Sequence, residues 1–181
     1  ETGQSLMLDP TYRYCPRCAT PLELREIYNL ARPVCPACDF VYFRDPKVAV
    51  VGLVTHQKHV LLVQRAINPE KGKWALPGGY MDAGEMPQDA LRRELKEEVN
   101  LAVRVTDLLT IFPMITNRTT ETASPGIVLA FRAEVAESAT PKLTCDDDVS
   151  DAGWFGPQEL PTDLAFASTE QLLAEWVDQQ L

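Results

Sequence analysis

The sequence has few of the features that mark a membrane, secreted or nucleic-acid-coating protein. No apolar run approaches the length needed to cross a bilayer. The opening ETGQSLMLDP shows no basic region followed by an apolar stretch, so a secretory signal is not expected. The first residue is Glu, and residues 1–6 ahead of Met7 are expected to be a processed or added segment. Basic residues are outnumbered, 17 against 26 acidic, giving a net charge of −9. That balance argues against nonspecific binding to nucleic acid or anionic membrane, and it means that an anionic substrate needs a local source of positive charge. Histidine is scarce: His56 and His59 flank an expected turn and are read as structural or solvated rather than catalytic. No internal repeat or low-complexity tract is present. What remains is an ordinary globular composition, 45% apolar and 24% charged over 181 residues, which suggests one main domain with a small appendage.

The five cysteines supply the appendage. Four fall in two CxxC units, CPRC (Cys15, Cys18) and CPAC (Cys35, Cys38), separated by 16 residues. Each unit turns tightly enough to aim two sulfurs at one ion, and the spacing matches a four-thiolate zinc site. Two disulfides or a redox CxxC are the alternatives, and the absence of a secretory context favours zinc and a reducing, cytoplasmic setting. Cys145 stands alone with nothing beside it to activate a thiol. Residues 1–11 are read as a tail, 12–46 as a zinc ribbon ending at Pro46, and 47–181 as the main domain. Within the ribbon, LELREIYNL is read as a strand.

The main domain alternates strands with helices. KVAVVGLVTH is an apolar β-branched run suited to a buried strand, and a turn at QKH leads to VLLVQRA. A Pro/Gly-rich loop with a short extended piece at Trp74–Leu76 precedes a helix through QDALRRELKEEV, with Pro87 in its first turn and Asn100 as its left-handed stop. LAVRVTDLLTIFPMIT, GIVLAFRAEV and DAGWF are further strands. A last helix is expected from Ser168, where STEQ fits a capping box, with Leu172, Leu173, Trp176 and Val177 as its apolar stripe. Trp154, Phe155 and Trp176 are read as core. This order predicts a sheet with helices packed on it, a mixed α/β (α+β) layer architecture.

The first helix holds the chemistry. Leu91, Leu95 and Val99 form one stripe at helical spacing, and Glu94, Glu97 and Glu98 form the adjoining one. Like charges three and four residues apart repel and weaken an isolated helix, so a cation is expected there. Carboxylates at this density suit Mg²⁺ or Mn²⁺, and Gly78-Gly79 just upstream permits a backbone carbonyl to join the shell. A solvated acidic face is the alternative for the glutamates taken alone.

The whole segment resembles the Nudix hydrolase signature, G-x5-E-x7-R-E-U-x-E-E-x-G-U with U a bulky aliphatic. The chain supplies Gly79, Glu85, Arg93-Glu94-Leu95, Glu97-Glu98 and Leu101, and departs only in Asn100 for the second glycine. WALPGG also resembles the family's lead-in. The resemblance implies a Nudix α/β/α sandwich preceded by the zinc ribbon, and hydrolysis of a nucleoside diphosphate linked to another group. It implies that Glu94, Glu97 and Glu98 bind magnesium with the Gly78 carbonyl, with Glu94 as, or assisting, the base instead as the alternative, and that Arg93 and Glu85 brace the loop and helix. A further acid from outside the box is expected among Glu121, Asp147, Asp148 and Asp151.

A zinc ribbon before such a domain is similar to two groups. The NADH pyrophosphatases carry a motif close to S-Q-P-W-P-F-P-x-S, absent from LLTIFPMITNRTTETASPG. The second group acts on ADP-ribose and FAD, and CPACDFVYFRDPKVAVVGLV and DLAFASTEQLL resemble it. The resemblance thus implies an ADP-linked pyrophosphate, ADP-ribose or FAD, cleaved to AMP and the other phosphorylated half. Tyr80, Phe112 and Phe166 are candidates to stack on a flat ring, with core packing as the alternative, and Arg65 is a candidate phosphate contact. A nucleotide sensor whose ribbon contacts nucleic acid is the competing class. Residues 11–47 carry six basic and four acidic side chains, a weak footprint that argues against nucleic acid as a partner. A homodimer is implied by the family's habit.

Overall fold

The computed structural model describes residues 12–114, 126–136, 141–146 and 148–180. The backbone divides into two compact units, one ending at Pro46 and the other beginning at Lys47.

The first unit is a hairpin between two cysteine turns. Strands β1 (Glu23–Ile27) and β2 (Leu30–Val34) pair antiparallel, with Arg25 opposite Arg32. LELREIYNL is therefore not one strand. Tyr28 and Asn29 both adopt positive φ, +51° and +61°, the geometry that a two-residue hairpin turn requires. Asn tolerates that region well, but a tyrosine in place of glycine hid the turn from the sequence pattern. The two CxxC turns repeat one design. The N–H of the first cysteine binds the carbonyl five residues on (Cys15 to Thr20, Cys35 to Phe40, both 2.8 Å), and its carbonyl accepts the N–H four residues on, from Ala19 and Asp39. Those latter residues are left-handed in both turns, at +58° and +55°. The Arg17 guanidinium lies over the Phe40 ring at 5.1 Å, and Tyr12 stacks on Tyr42.

The second unit is a six-stranded sheet between two helices. Its strands are β3 (Lys47–His56), β4 (His59–Arg65), β5 (Trp74–Ala75), β6 (Val103–Met114), β7 (Gly126–Val135) and β8 (Val149–Phe155). They are ordered β5-β4-β3-β7-β6, with β8 added beside β4. β3 pairs parallel with β7 from Lys47 to Thr55, which places the most β-branched segment at the centre, buried on both faces. Alternation along the strands sends Val50, Val54, Leu61, Val63, Phe131 and Ala133 to one face, under α1 (Pro87–Val99). Leu53, Val60, Leu62 and Ala130 go to the other, under Leu172, Leu173 and Trp176 of α2 (Ala167–Asp178). This is the expected α/β/α layering. Trp176 is 2% exposed, and Trp154 and Phe155 pack half-buried on opposite faces.

Two local expectations change. α2 begins at Ala167 behind Phe166, and no side chain caps it, so STEQ does not form a capping box and Ser168 lies inside the first turn. β8 begins at Val149, two residues before DAGWF. At α1 the sequence pattern holds: Pro87 starts the helix, and Asn100, at φ +54°, ends it by donating its N–H to the Lys96 carbonyl while Leu101 donates to Leu95.

Candidate active site and cysteine cluster

β3 pairs with β4 only at its far end, through Thr55 and His56. The rest of that β3 edge is taken by the segment before α1. Gly52 N–H donates to the Pro77 carbonyl (2.9 Å), Val50 N–H to Gly79 (2.8 Å), and Met81 N–H to Val48 (3.0 Å). Glycine is required at 78, and at 79 it leaves room for the Glu94 side chain. Gly78 sits at φ +142°, and a Cβ there would meet the Val50 carbonyl oxygen at 2.1 Å; a Cβ on Gly79 would lie 2.6 Å from the Glu94 carboxylate. The two glycines thus let a backbone strip and a carboxylate share one space.

Helix α1 supplies the carboxylates. Leu91, Leu95 and Val99 are fully buried against the sheet. That seating carries Glu98, one residue round, into the interior, where it is 6% exposed and accepts the Gly78 N–H at 3.0 Å. Glu94 is partly enclosed, its side chain 15% exposed, whereas the Glu97 side chain is 48% exposed and forms the outer rim.

Arg93 ties the rim together. Its Nε and Nη2 grip both oxygens of Glu85 at 3.0 and 3.1 Å, Nη1 donates to Glu94 at 2.8 Å and Glu97 at 2.9 Å, and Nη2 also reaches the Tyr80 carbonyl at 3.0 Å. A planar five-donor fork can meet these demands at once, which a lysine cannot. The hydrogen bonds from Arg93, with the Asp82 N–H, hold the Glu85 carboxyl below its ordinary value. Within the cradle the balance reverses. Burial pushes the Glu98 carboxyl up to about 8, and the charges of Glu94 and Asp148 add to this against the Gly78 N–H and Arg65. Glu94 is also raised, first by burial and then by Glu97 and Asp148, in opposition to Arg93. Two enclosed carboxylates that repel each other are a site short of positive charge. Their oxygens, beside the glycine backbone, are the hard donors a divalent magnesium or manganese ion takes.

Of the four acids outside the box, Glu121 and Asp147 lie outside the described residues. Asp151 is exposed and accepts the N–H of Ala152 at 2.8 Å on β8. Of the two described candidates, Asp148 is the one whose charge acts on both Glu94 and Glu98. The chain is docked there by the end of α1: Thr144 N–H donates to the Val99 carbonyl at 3.1 Å and Asp146 N–H to Glu98 at 3.0 Å, while the Asp148 carbonyl accepts from Ala66 at 2.7 Å. Asp148 and Asp151 look alike in sequence, and this docking separates them.

The candidate substrate residues divide. Arg65 ends β4, donates from Nε to the Pro69 carbonyl at 2.7 Å, sets its guanidinium 5.2 Å from the Phe166 ring centroid and lowers the Glu98 carboxyl by its charge. Phe166 immediately precedes α2. Tyr80 is 52% exposed, with Lys47 Nζ 4.9 Å from its ring centroid. Phe112 packs half-buried in the α2-side core, on the opposite sheet face from the glutamates.

In the first unit the four sulfurs of Cys15, Cys18, Cys35 and Cys38 lie within 4.8 Å of one another and none is in a disulfide. Cys15–Cys38 and Cys18–Cys38 are 3.6 Å apart, and Cys18–Cys35 3.5 Å. Sulfurs at 2.3 Å from a tetrahedral zinc are about 3.8 Å apart, so the donor set fits that ion.

The NUDIX domain model matches residues 44–177. The chain is 35% identical over 124 residues to an ADP-ribose pyrophosphatase of Methanocaldococcus jannaschii, covering 68% of this chain and 69% of that one. It is 30% identical over 152 residues to the NAD-capped RNA hydrolase NudC of Chromobacterium violaceum, covering 83% of this chain but only 52% of that protein, so the chain spans about half the length of this relative. A crystal structure of a NUDIX hydrolase from Nitrosomonas europaea superposes with a TM-score of 0.81 at 27% identity, over 93% of this chain and 92% of that one. The match over most of the chain's length, joined to the glutamate cradle it encloses, makes this protein a member of the Nudix hydrolase family.

Proposed function

We propose that the protein is a Mg²⁺- or Mn²⁺-dependent pyrophosphatase that cleaves the phosphoanhydride of an ADP-linked nucleotide, releasing AMP and the other phosphorylated half. One observation carries this: Glu94 and Glu98 are enclosed together against the Gly78-Gly79 backbone, with Arg93 bracing only the outer side. In this reading Glu94, Glu97, Glu98 and the Gly78 carbonyl hold the cation, and the charge of Asp148 acts on the same carboxylates. Bound there, a divalent ion neutralises the diphosphate, acidifies a water and stabilises the leaving oxygen. The chain's own groups do the rest. As the alternative to binding the cation, Glu94 accepts the water's proton or assists that transfer. Arg93 and Glu85 keep the loop and helix in register. Arg65 answers the need for positive charge on a chain of net −9 and meets a phosphate from the end of β4. Tyr80 and Phe166 stack on the flat ring of the substrate, and Phe112 is left to the core.

ADP-ribose is the preferred substrate in this reading, supported by the ADP-ribose pyrophosphatase relative; FAD rests on the sequence resemblance. The second reading is cleavage of an NAD-type linkage, free or at an RNA end. It is favoured by the NudC match, which spans 83% of this chain against 68% for the archaeal relative. The cysteine cluster is proposed to hold one structural zinc, with residues 12–46 as the ribbon and 47–181 as the catalytic domain. Five unpaired cysteines fit a reducing, cytoplasmic setting. Among the described residues no helix is long and apolar enough to cross a membrane. The homodimer implied by the family is tested by sedimentation. Chromatography of ADP-ribose, FAD, NADH and an NAD-capped RNA after incubation with Mg²⁺ discriminates the substrates. AMP appears first from ADP-ribose if the reading is right, and release of no AMP from any of the nucleotides overturns it in favour of a binding module.

A further inference from the structure

We propose that Cys18 and Cys38 form a peroxide-sensitive pair. Of the four thiolates in the cluster, these two are oxidised first, and to each other, across the two CxxC turns. The proposal rests on the zinc reading above.

The four cysteines are not equivalent. Cys15 is 3% exposed and Cys35 fully buried, whereas Cys18 and Cys38 are both open to solvent. Each turn contributes one of each kind, and the backbone explains why. The first cysteine of a turn is held through both its N–H and its carbonyl by the residues that close the turn. That fixes it beneath the loop, while the second cysteine rides on the outside. A small oxidant arriving from water therefore meets one sulfur from each turn. Those two sulfurs are 3.6 Å apart, in reach of each other; Cys18–Cys35 and Cys15–Cys38 are as close, at 3.5 and 3.6 Å, so exposure and not distance singles out the pair. Every other pairing in the cluster, within a turn or across the two, would have to recruit a buried partner, Cys15 or Cys35. The remaining thiol, Cys145, has no second cysteine beside it in the sequence and belongs to the other unit.

The chemistry balances with hydrogen peroxide as oxidant. One exposed thiolate attacks a peroxide oxygen, the O–O bond breaks, hydroxide leaves, and a sulfenic acid forms. The second thiolate attacks that sulfur, the S–S bond forms, the S–O bond breaks, and a second hydroxide leaves. Two electrons pass from the sulfurs to the peroxide oxygens. With two of its four ligands joined, the cluster no longer offers a tetrahedral thiolate set, and the zinc is released without changing its own oxidation state.

The experiment uses the full chain as purified. Zinc content is measured first, peroxide is added in stoichiometric steps, release is followed with a chromophoric chelator, and free thiols are alkylated before tryptic digestion and mass spectrometry. The expected result is about one zinc released per disulfide formed. Peptide 18–25 should be joined to peptide 26–44, with fragmentation placing the bond at Cys38 rather than Cys35. Cys145→Ser should leave the pattern unchanged. A first disulfide within either turn, or one involving Cys15, Cys35 or Cys145, overturns the proposal. So does retention of both zinc and thiols at peroxide concentrations that oxidise free glutathione. A preparation that never contains zinc overturns the zinc reading instead, and the disulfide map of that same preparation still judges the pair.

Discussion

Replacing Glu98 by glutamine removes one charge from the cradle and almost no volume, and the structure gives the change opposite signs with and without metal. In chelator the buried carboxyl is raised from its ordinary 4.5 to about 8. A carboxyl raised on folding costs nothing below its unfolded value. The cost grows as pH rises from 4.5 and saturates above 8. At pH 7 it amounts to roughly 3 kcal/mol, at about 1.4 kcal/mol for each pH unit above the unfolded value. Glutamine can still accept the Gly78 N–H and carries no such cost. The metal-free variant should therefore melt higher than the wild type at pH 7, by roughly 6–12 °C for a chain of this size, and the difference should vanish towards pH 4.5. With Mg²⁺ the order reverses. At a thousand times its dissociation constant the wild type gains about 4.1 kcal/mol, more than the cost of the buried carboxylate; the variant gains little, and its turnover falls at least about a hundredfold, equivalent to about 2.7 kcal/mol in the barrier. Calorimetric melting in chelator and in Mg²⁺, at several pH values, alongside AMP release, reads both signs. A variant no more stable than wild type in chelator, yet equally stabilised by Mg²⁺ and equally active, would refute the account of the cradle.

Gly79→Ala places a methyl 2.6 Å from the Glu94 carboxylate, which can swing aside because it is a side-chain end. The variant should fold, shown by an unchanged far-UV spectrum, while AMP release drops about tenfold or more. Glu97→Gln should lose most turnover and keep the fold, since that side chain is on the exposed rim; wild-type rates would remove it from the ion's ligands. Arg93→Lys cannot keep the Glu85 fork together with Glu94 and Glu97, and should cost about 1–3 kcal/mol in denaturant unfolding as well as activity. The Glu85 carboxyl lies below its ordinary value in the folded state, so the stability it brings is present at neutral pH and is lost as pH falls through the carboxylate range; Glu85→Gln should flatten that acid limb of the melting profile.

Much of this protein was legible in one dimension because its signals are local. The run from Pro87 to Asn100 carries its own start, its own stripe of Leu91, Leu95 and Val99, and its own left-handed stop, and each is a matter of a few neighbouring residues. The two CxxC turns are equally self-contained, as their matching backbone hydrogen bonds show. Where local signals were weak or ambiguous the reading failed. The Tyr28-Asn29 turn has no glycine to announce it, and STEQ has the residues of a cap without being at the helix start.

The sequence alone determined that three glutamates and an arginine would share one helix beside two glycines, because helical periodicity and glycine's conformational freedom follow from covalent structure. It also determined that four sulfurs would come as two pairs. Only the tertiary structure decided how unequal those groups are. Packing Leu91, Leu95 and Val99 on the sheet buried Glu98, left Glu97 on the rim, and the chain beyond brought the charge of Asp148 to bear on the cradle. It likewise set one cysteine of each turn inside and one outside. The physical reason is the same in each case: burial and the charges that act on a group are set by residues distant in sequence, which no local pattern records.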